Sequence, residues 1–376
     1  MASNTPTKST SKGRKSTSEK AGTSRIVHGS IRRALLARYR ANARTHPWRG
    51  TGDPYAVWLS EIMLQQTQIA TVTPYYLRFM AAFPTVSHLA EAPLERVLEL
   101  WSGLGYYRRA RHLHQAAQAV AHLPGSKFPE DYDGLRALAG IGDYTARAVL
   151  SIAFNQPYAV LDGNVARVVA RLYALRGNLH QPQFRRTVEA ELDQLLSRRE
   201  PGNFNQAMME LGQTICLPRG PLCPACPLAK WCAGYRSGNP ENFPLPRPRR
   251  AAESHHLAAA LFSQGTKVAM VRGLEEGLLD DLWNFPSTFG ASAADALASL
   301  QEKLRTFTRA TLTFGEPLAA FRHNITYRSI QGLVYPVKTA RPLHHPSVHW
   351  FELKDLPQAA ISQLARKIAQ KIDILE

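Results

Sequence analysis

Four cysteines, Cys216, Cys223, Cys226 and Cys232, fall within seventeen residues, and the chain has no others. Their spacing is C-x6-C-x2-C-x5-C. Four thiolates on one compact loop can surround a single inorganic centre, either a [4Fe–4S] cluster or a tetrahedral zinc. Two disulfides are the alternative. A chain of this length with no further cysteine and no secretory segment reads instead as intracellular, where thiols stay reduced. Zinc sites usually use two close pairs, and the six-residue first gap fits that poorly, so the spacing favours the cluster.

Two carboxylates stand in suggestive surroundings. Glu61 interrupts an apolar helix, with Val57, Trp58, Ile62, Met63 and Leu64 around it. Buried there, it would hold a proton near neutrality; exposed, it would be an ordinary solvated acid. Asp162 precedes a helical run from Gly163 and suits an N-cap, a position that keeps a carboxylate ionised. One protonated and one ionised acid form the pair that glycosidic hydrolysis uses. Between them lies Leu138-Ala139-Gly140-Ile141-Gly142-Asp143-Tyr144. Gly140 and Gly142 permit a tight turn, and a helix starting near Tyr144 would offer free N–H groups to a phosphate. This is a helix-hairpin-helix pattern, or else a plain glycine-capped turn.

The elements that must position these residues separate by composition. The 376 residues carry 46 Lys+Arg against 29 Asp+Glu, a net charge of +17, which calls for a polyanionic partner. No apolar run reaches membrane-spanning length. Residues 1–25 read as a disordered basic tail. Residues 26–236 follow a helical period, with the cysteine loop at 216–232. Residues 237–253 are proline-rich and read as a connector lying across a surface. Residues 254–376 form an α+β domain, with strands expected at 256–262, 267–272, 310–314, 324–330 and 332–338 and helices at 293–304 and 357–374.

The motifs Pro47-Trp48-Arg49, Trp58-Leu59-Ser60-Glu61-Ile62-Met63-Leu64-Gln65-Gln66-Thr67, Trp101-Ser102-Gly103-Leu104-Gly105-Tyr106-Tyr107, the hairpin, Leu161-Asp162-Gly163-Asn164-Val165 and Phe204-Asn205-Gln206-Ala207-Met208-Met209-Glu210-Leu211-Gly212 occur in this order. Together with the cysteine spacing they resemble the adenine DNA glycosylases of MutY type, in the endonuclease III superfamily of base-excision repair. The resemblance implies a helix-hairpin-helix core, an iron–sulfur loop carrying a [4Fe–4S] cluster, and a C-terminal Nudix-like domain that detects the lesion. It implies excision of adenine opposite 8-oxoguanine or guanine in duplex DNA, by a monomer in the bacterial cytoplasm associated with the nucleoid.

Residue by residue, the resemblance makes Glu61 the acid that protonates adenine N7 and Asp162 the carboxylate that stabilises the oxocarbenium ion. Tyr144 is the hairpin residue beside them, and Arg49 and Gln206 line the base pocket. Gln66 and Tyr106 enter the duplex, while Tyr107 reads as core. Relatives that also cut the backbone carry lysine where Tyr144 stands, and no lysine occurs between Lys127 and Lys230, so hydrolysis by water is implied. In the last domain Gly277 to Pro286 matches a G-L-x-x-x-L-W-x-F-P signature, and the Nudix box is absent. His323-Asn324-Ile325-Thr326-Tyr327 stands where many relatives have H-x-Phe-Ser-His, making Thr326 and Tyr327 candidate lesion contacts, or simply strand residues. Two rivals remain open at this level: a bifunctional glycosylase/lyase for oxidised pyrimidines, and an inactive DNA-binding scaffold.

Overall fold

The computed structural model describes residues 15–246, 253–273, 282–325, 327–340, 343, 345–357 and 359–374. The chain divides into two compact units, residues 1–61 with 128–247 and residues 62–127 with 248–376. The sequence suggested one helical core over 26–236. The division groups 62–127 with the C-terminal strands, and side chains of the last helix bind that helical stretch. Arg366 Nη2 donates to Ser102 Oγ at 2.7 Å, and Gln363 Nε2 lies 3.5 Å from Gly103 O.

The first unit is helical. Its helices are Lys15–Asn42, Pro54–Leu64, Tyr132–Ala137, Asp143–Ile152, Gly163–Leu172, Pro182–Leu195 and Pro201–Thr214. Helical backbone therefore starts at Lys15, inside the stretch 1–25 expected to be a disordered tail; residues 1–14 lie outside the described residues. The segment from Lys15 to Arg25 contains no proline, so the amphipathic helix that follows extends back through it. Apolar residues recur at helical spacing: Ile31 and Leu35, Val165 and Val169, Phe204, Met208 and Leu211, all buried in one core. The first residues of the proline-rich connector pack into this unit. Phe243 is buried in the same core and Leu245 N donates to Gly177 O at 2.8 Å.

In the second unit, helices Ile69–Ala82, Val86–Glu91, Leu94–Trp101 and Arg108–Ala121 accompany an α+β region. Its strands are β1 (Glu253–Leu261), β2 (Ser263–Gln264), β3 (Lys267–Arg272), β4 (Trp283–Asn284), β5 (Ser287–Gly290), β6 (Leu312–Phe314), β7 (Ala319–Ile325), β8 (Arg328–Thr339) and β9 (Val348–Glu352). One sheet runs β5-β1-β8-β6 with β7 also on β8; the other runs β2-β3-β4 with β9 on β3. Strands β1 and β8 pair in parallel, while the other strand pairs described are antiparallel. Alternation along β1 splits its side chains between two cores. Leu257 and Ala259 pack with Leu364, Ala365 and Ile368 of the helix Gln363–Lys371. Ala258 and Ala260 pack with Ala296, Leu300 and Leu304 of the helix Ala293–Phe307.

One expected strand is corrected. Residues 324–330 do not form one strand: β7 ends at Ile325, β8 begins at Arg328, and the two pair antiparallel with Ile325 opposite Arg328. The run Ile-Thr-Tyr favours strands and contains no Gly, Asn or Asp, so the sequence gives no sign that one strand ends and another begins here. Thr326 lies outside the described residues, as does the signature from Gly277 to Asp281. The last helix is also shorter than the expected 357–374. It begins after Ser362, whose hydroxyl accepts from Ala365 N at 2.9 Å.

Candidate active site

Three elements of the first unit bring acids and a phenol together. Glu61 sits in the last turns of the helix Pro54–Leu64, among Trp58, Leu59, Ile62 and Met63, and is 8% exposed. Burial pushes its carboxyl up to about 7; a hydrogen bond with Tyr144 acts against this, and the charge of Asp162 adds to it. Tyr144 is held well above the usual phenol range by burial first, then by the neighbouring Glu61 and Asp162 charges. Its hydroxyl also lies 3.5 Å from Met209 Sδ. The expected trio of Glu61, Tyr144 and Asp162 is thus one interacting group, and the buried alternative for Glu61 is the one realised.

Asp162 caps the helix Gly163–Leu172. Its Oδ1 accepts from Val165 N at 2.6 Å and its Oδ2 from Asn164 Nδ2 at 3.0 Å. The preceding segment is fixed by a residue that sequence reasoning quoted only within a motif. Buried Asn205 accepts from Val160 N at 3.2 Å and donates to Ser151 Oγ at 2.9 Å and Tyr158 O at 2.8 Å. A Cβ on Gly212 would fall 2.7 Å from Asn164 Cβ, so the helix Pro201–Thr214 approaches the cap only because glycine stands there.

The hairpin consists of the helix Tyr132–Ala137, a turn, and the helix Asp143–Ile152. Gly140 has φ +73°, whereas Gly142 is extended at φ −82°, ψ 175° and serves as the N-cap. Only the first of the two glycines is required by backbone conformation. Arg136 Nη1 donates to Ile141 O at 2.8 Å and locks the turn. Asp143, one residue earlier than the expected start, accepts from Tyr132 Oη at 2.8 Å and Arg147 Nε at 2.7 Å. Burial would raise its carboxyl, but those two hydrogen bonds and the Arg147 and Arg185 charges hold it below the usual range.

Arg49 and Gln206 occupy one neighbourhood through a residue that sequence reasoning missed. Arg49 Nη1 donates to Glu210 Oε2 at 2.6 Å, and Glu210 lies one turn beyond Gln206 on the helix Pro201–Thr214. Gln206 Nε2 contacts Gly202 O at 3.4 Å. The i, i+4 spacing of Gln206 and Glu210 was the available signal.

The cysteines converge on Arg171. Its Nη1 lies 3.5 Å from Cys216 Sγ and 2.6 Å from Leu217 O, its Nη2 donates to Pro218 O at 2.9 Å, and its own carbonyl faces Cys232 Sγ at 3.3 Å. The four thiols are free, and Cys223, Cys226 and Cys232 each feel the charge of Cys216. Burial, reinforced by the other three thiols, pushes Cys226 up to about 11. Among the described residues no group of three His, Cys, Asp or Glu is arranged to hold a single metal ion. An all-thiol donor set beside a guanidinium suits a soft centre of net negative charge.

In the second unit, Gln66 and Tyr106 both have positive φ, +57° and +51°, and Tyr106 is 52% exposed. Tyr107 is core, as expected, with its hydroxyl accepting from Gly103 N at 3.1 Å. Tyr327 immediately precedes β8, and its carbonyl accepts from Glu253 N at 2.9 Å.

Residues 59–196 match the model of the HhH-GPD superfamily of base excision DNA repair proteins. The human adenine DNA glycosylase is 33% identical over 400 residues, covering 90% of this chain and 73% of that protein. The chain belongs to the adenine DNA glycosylase family. The enzyme of that name from Buchnera aphidicola of Acyrthosiphon pisum is 29% identical over 344 residues, covering 89% of this chain and 95% of its own. Among solved structures, a thermostable thymine-DNA glycosylase aligns with TM-score 0.52 and 25% identity over 57% of this chain and 99% of that one. The chain is accordingly a base-excision enzyme that hydrolyses N-glycosyl bonds, acts on DNA and removes adenine. Among the described residues no helix is long and apolar enough to cross a membrane.

Proposed function

We propose that this glycosylase excises adenine paired with 8-oxoguanine or guanine in duplex DNA, by water hydrolysis and without a backbone-cutting step. The observation that carries the reading is the pairing of a buried, proton-holding Glu61 with a helix-capping Asp162 across Tyr144. Glu61 gives its proton to adenine N7 as the bond from C1′ to N9 breaks and its electron pair leaves with the base. The Asp162 carboxylate, held at the cap of its helix, faces the positive charge that develops on the sugar. Water adds its oxygen at C1′, and its released proton restores Glu61. Tyr144 cannot form a Schiff base, because it has no amine.

A base inside the duplex cannot reach two buried acids, so adenine is extruded, with Gln66 and Tyr106 filling the helix and Arg49 and Gln206 bounding the base pocket. The hairpin around Gly140 and Gly142 grips phosphate, and the Nudix-like C-terminal region contacts the lesion through Thr326 and Tyr327. Cys216, Cys223, Cys226 and Cys232 hold a [4Fe–4S] cluster, which when bound fixes the 216–232 loop and its basic side chains. Single-turnover excision on an 8-oxoguanine:adenine duplex tests the reading. Glu61→Gln and Asp162→Asn should each abolish adenine release while duplex affinity stays within a few-fold; substantial excision by either variant overturns it.

A further inference from the structure

Gln66 and Tyr106 are forty residues apart in sequence, and each holds a backbone conformation that side-chain-bearing residues rarely adopt. Neither turn is held by glycine at that position, so something else must hold them. The helix Pro54–Leu64 ends just before Gln66 with no basic residue in its last turn to meet its free carbonyls. One guanidinium, from Arg109, meets them. Its Nη1 donates to Ile62 O at 2.9 Å, Met63 O at 2.9 Å and Gln65 O at 2.6 Å. Its Nη2 donates to Thr67 Oγ1 at 3.2 Å and to Gly105 O at 3.1 Å. The same guanidinium therefore binds the residues on both sides of Gln66 and the residue immediately before Tyr106. Its carbon lies 5.4 Å from the Trp101 ring and 5.3 Å from the Tyr106 ring, and Trp101 Nε1 donates to Gly105 O at 3.0 Å. Burial lowers the group only to about 10, so it keeps its charge at neutral pH.

We propose that Arg109 is a positioning residue that fastens the Gln66 and Tyr106 turns to each other, so that the two side chains enter the duplex as one preformed wedge. This rests on the reading of Gln66 and Tyr106 as duplex-entering residues. A planar fork with five donors can serve two separated turns at once; a lysine ammonium cannot. Arg109 touches no reacting atom in this scheme. Its loss acts on extrusion and leaves the acid chemistry of Glu61 intact.

The test uses the full-length protein and a duplex with 2-aminopurine in place of the excised adenine, whose fluorescence rises when the base leaves the stack. Glu61→Gln serves as the background, so that extrusion is read without cleavage. Arg109→Lys should lower the extrusion signal and, in the active protein, the single-turnover rate by about tenfold or more, as wedge displacement by an ångström would. The pH at which residual excision falls should not move, and melting should change little. Gln66→Ala added to Arg109→Lys should cost less than the product of the two single effects. Thr67→Val removes one partner only and should give a smaller loss of the same kind, which carries the test should Arg109→Lys fail to fold. If Gln66→Ala and Tyr106→Ala extrude the base like the parent, the wedge reading itself falls. If they fail while Arg109→Lys and Thr67→Val extrude normally, or if the effects multiply, only the fastening role of Arg109 is overturned.

Discussion

Glu61 and Tyr144 illustrate how environment divides labour among titratable side chains. Burial lifts Glu61 to about 7, so excision should decline as pH rises through that value and the acid loses its proton. The same shift bears on stability. The folded state retains the Glu61 proton to higher pH than the unfolded chain does, so stability is lost as pH rises from about 4.5 through about 7. At pH 8 wild type should be less stable than Glu61→Gln, by at most on the order of 3 kcal/mol, and equal to it near pH 4; parallel melts across pH check this. Tyr144→Lys should place an amine beside the sugar and permit borohydride trapping of a covalent DNA adduct that wild type lacks. Strong trapping by wild type would contradict a hydrolytic enzyme. Both acids were legible in sequence, since an acid inside an apolar helix and an Asp before a helix each have a local signature. Arg109 was not. An arginine in a Tyr-Tyr-Arg-Arg run reads as surface charge, and only tertiary contacts reveal that Arg109 is enclosed by carbonyls.

Among elements, the β7–β8 hairpin carries the most variable prospect. Tyr327 immediately precedes β8, whereas Arg322 is on β7 opposite Gln331, further along the pair. Tyr327→Ala should reduce the preference for 8-oxoguanine:adenine over guanine:adenine by about 1–3 kcal/mol, as a lost base contact does. Arg322→Ala should weaken both substrates alike and lower the salt slope by about one. Excision of both mispairs across a salt series separates these outcomes, and equal behaviour of the two variants would reduce Tyr327 to a backbone contact. Sequence reading anticipated β1, β3 and most of β8, where apolar alternation is long. The two-residue strands β2 and β4 offer too few positions for a period to register, and the run between β7 and β8 lacked turn residues. The hairpin at Gly140 was legible because a glycine with φ +73° announces itself in the sequence pattern, although Gly142 proved an ordinary extended N-cap.

For the molecule as a whole, charge and cysteine content make a joint statement. A net charge of +17 suits DNA, and four clustered thiols suit iron. Protein purified without oxygen should be yellow-brown, with broad absorbance at roughly 400 nm. One zinc per chain in a colourless preparation would refute the cluster. The helix Gly163–Leu172 links this loop to the acid chemistry. Asp162 caps its beginning, and Arg171 near its end binds Leu217 O and Pro218 O of the cysteine loop. Ten residues of helix span only about 15 Å. The anchor of the 216–232 loop and the carboxylate that meets the cationic sugar therefore stand at the two ends of one short rod.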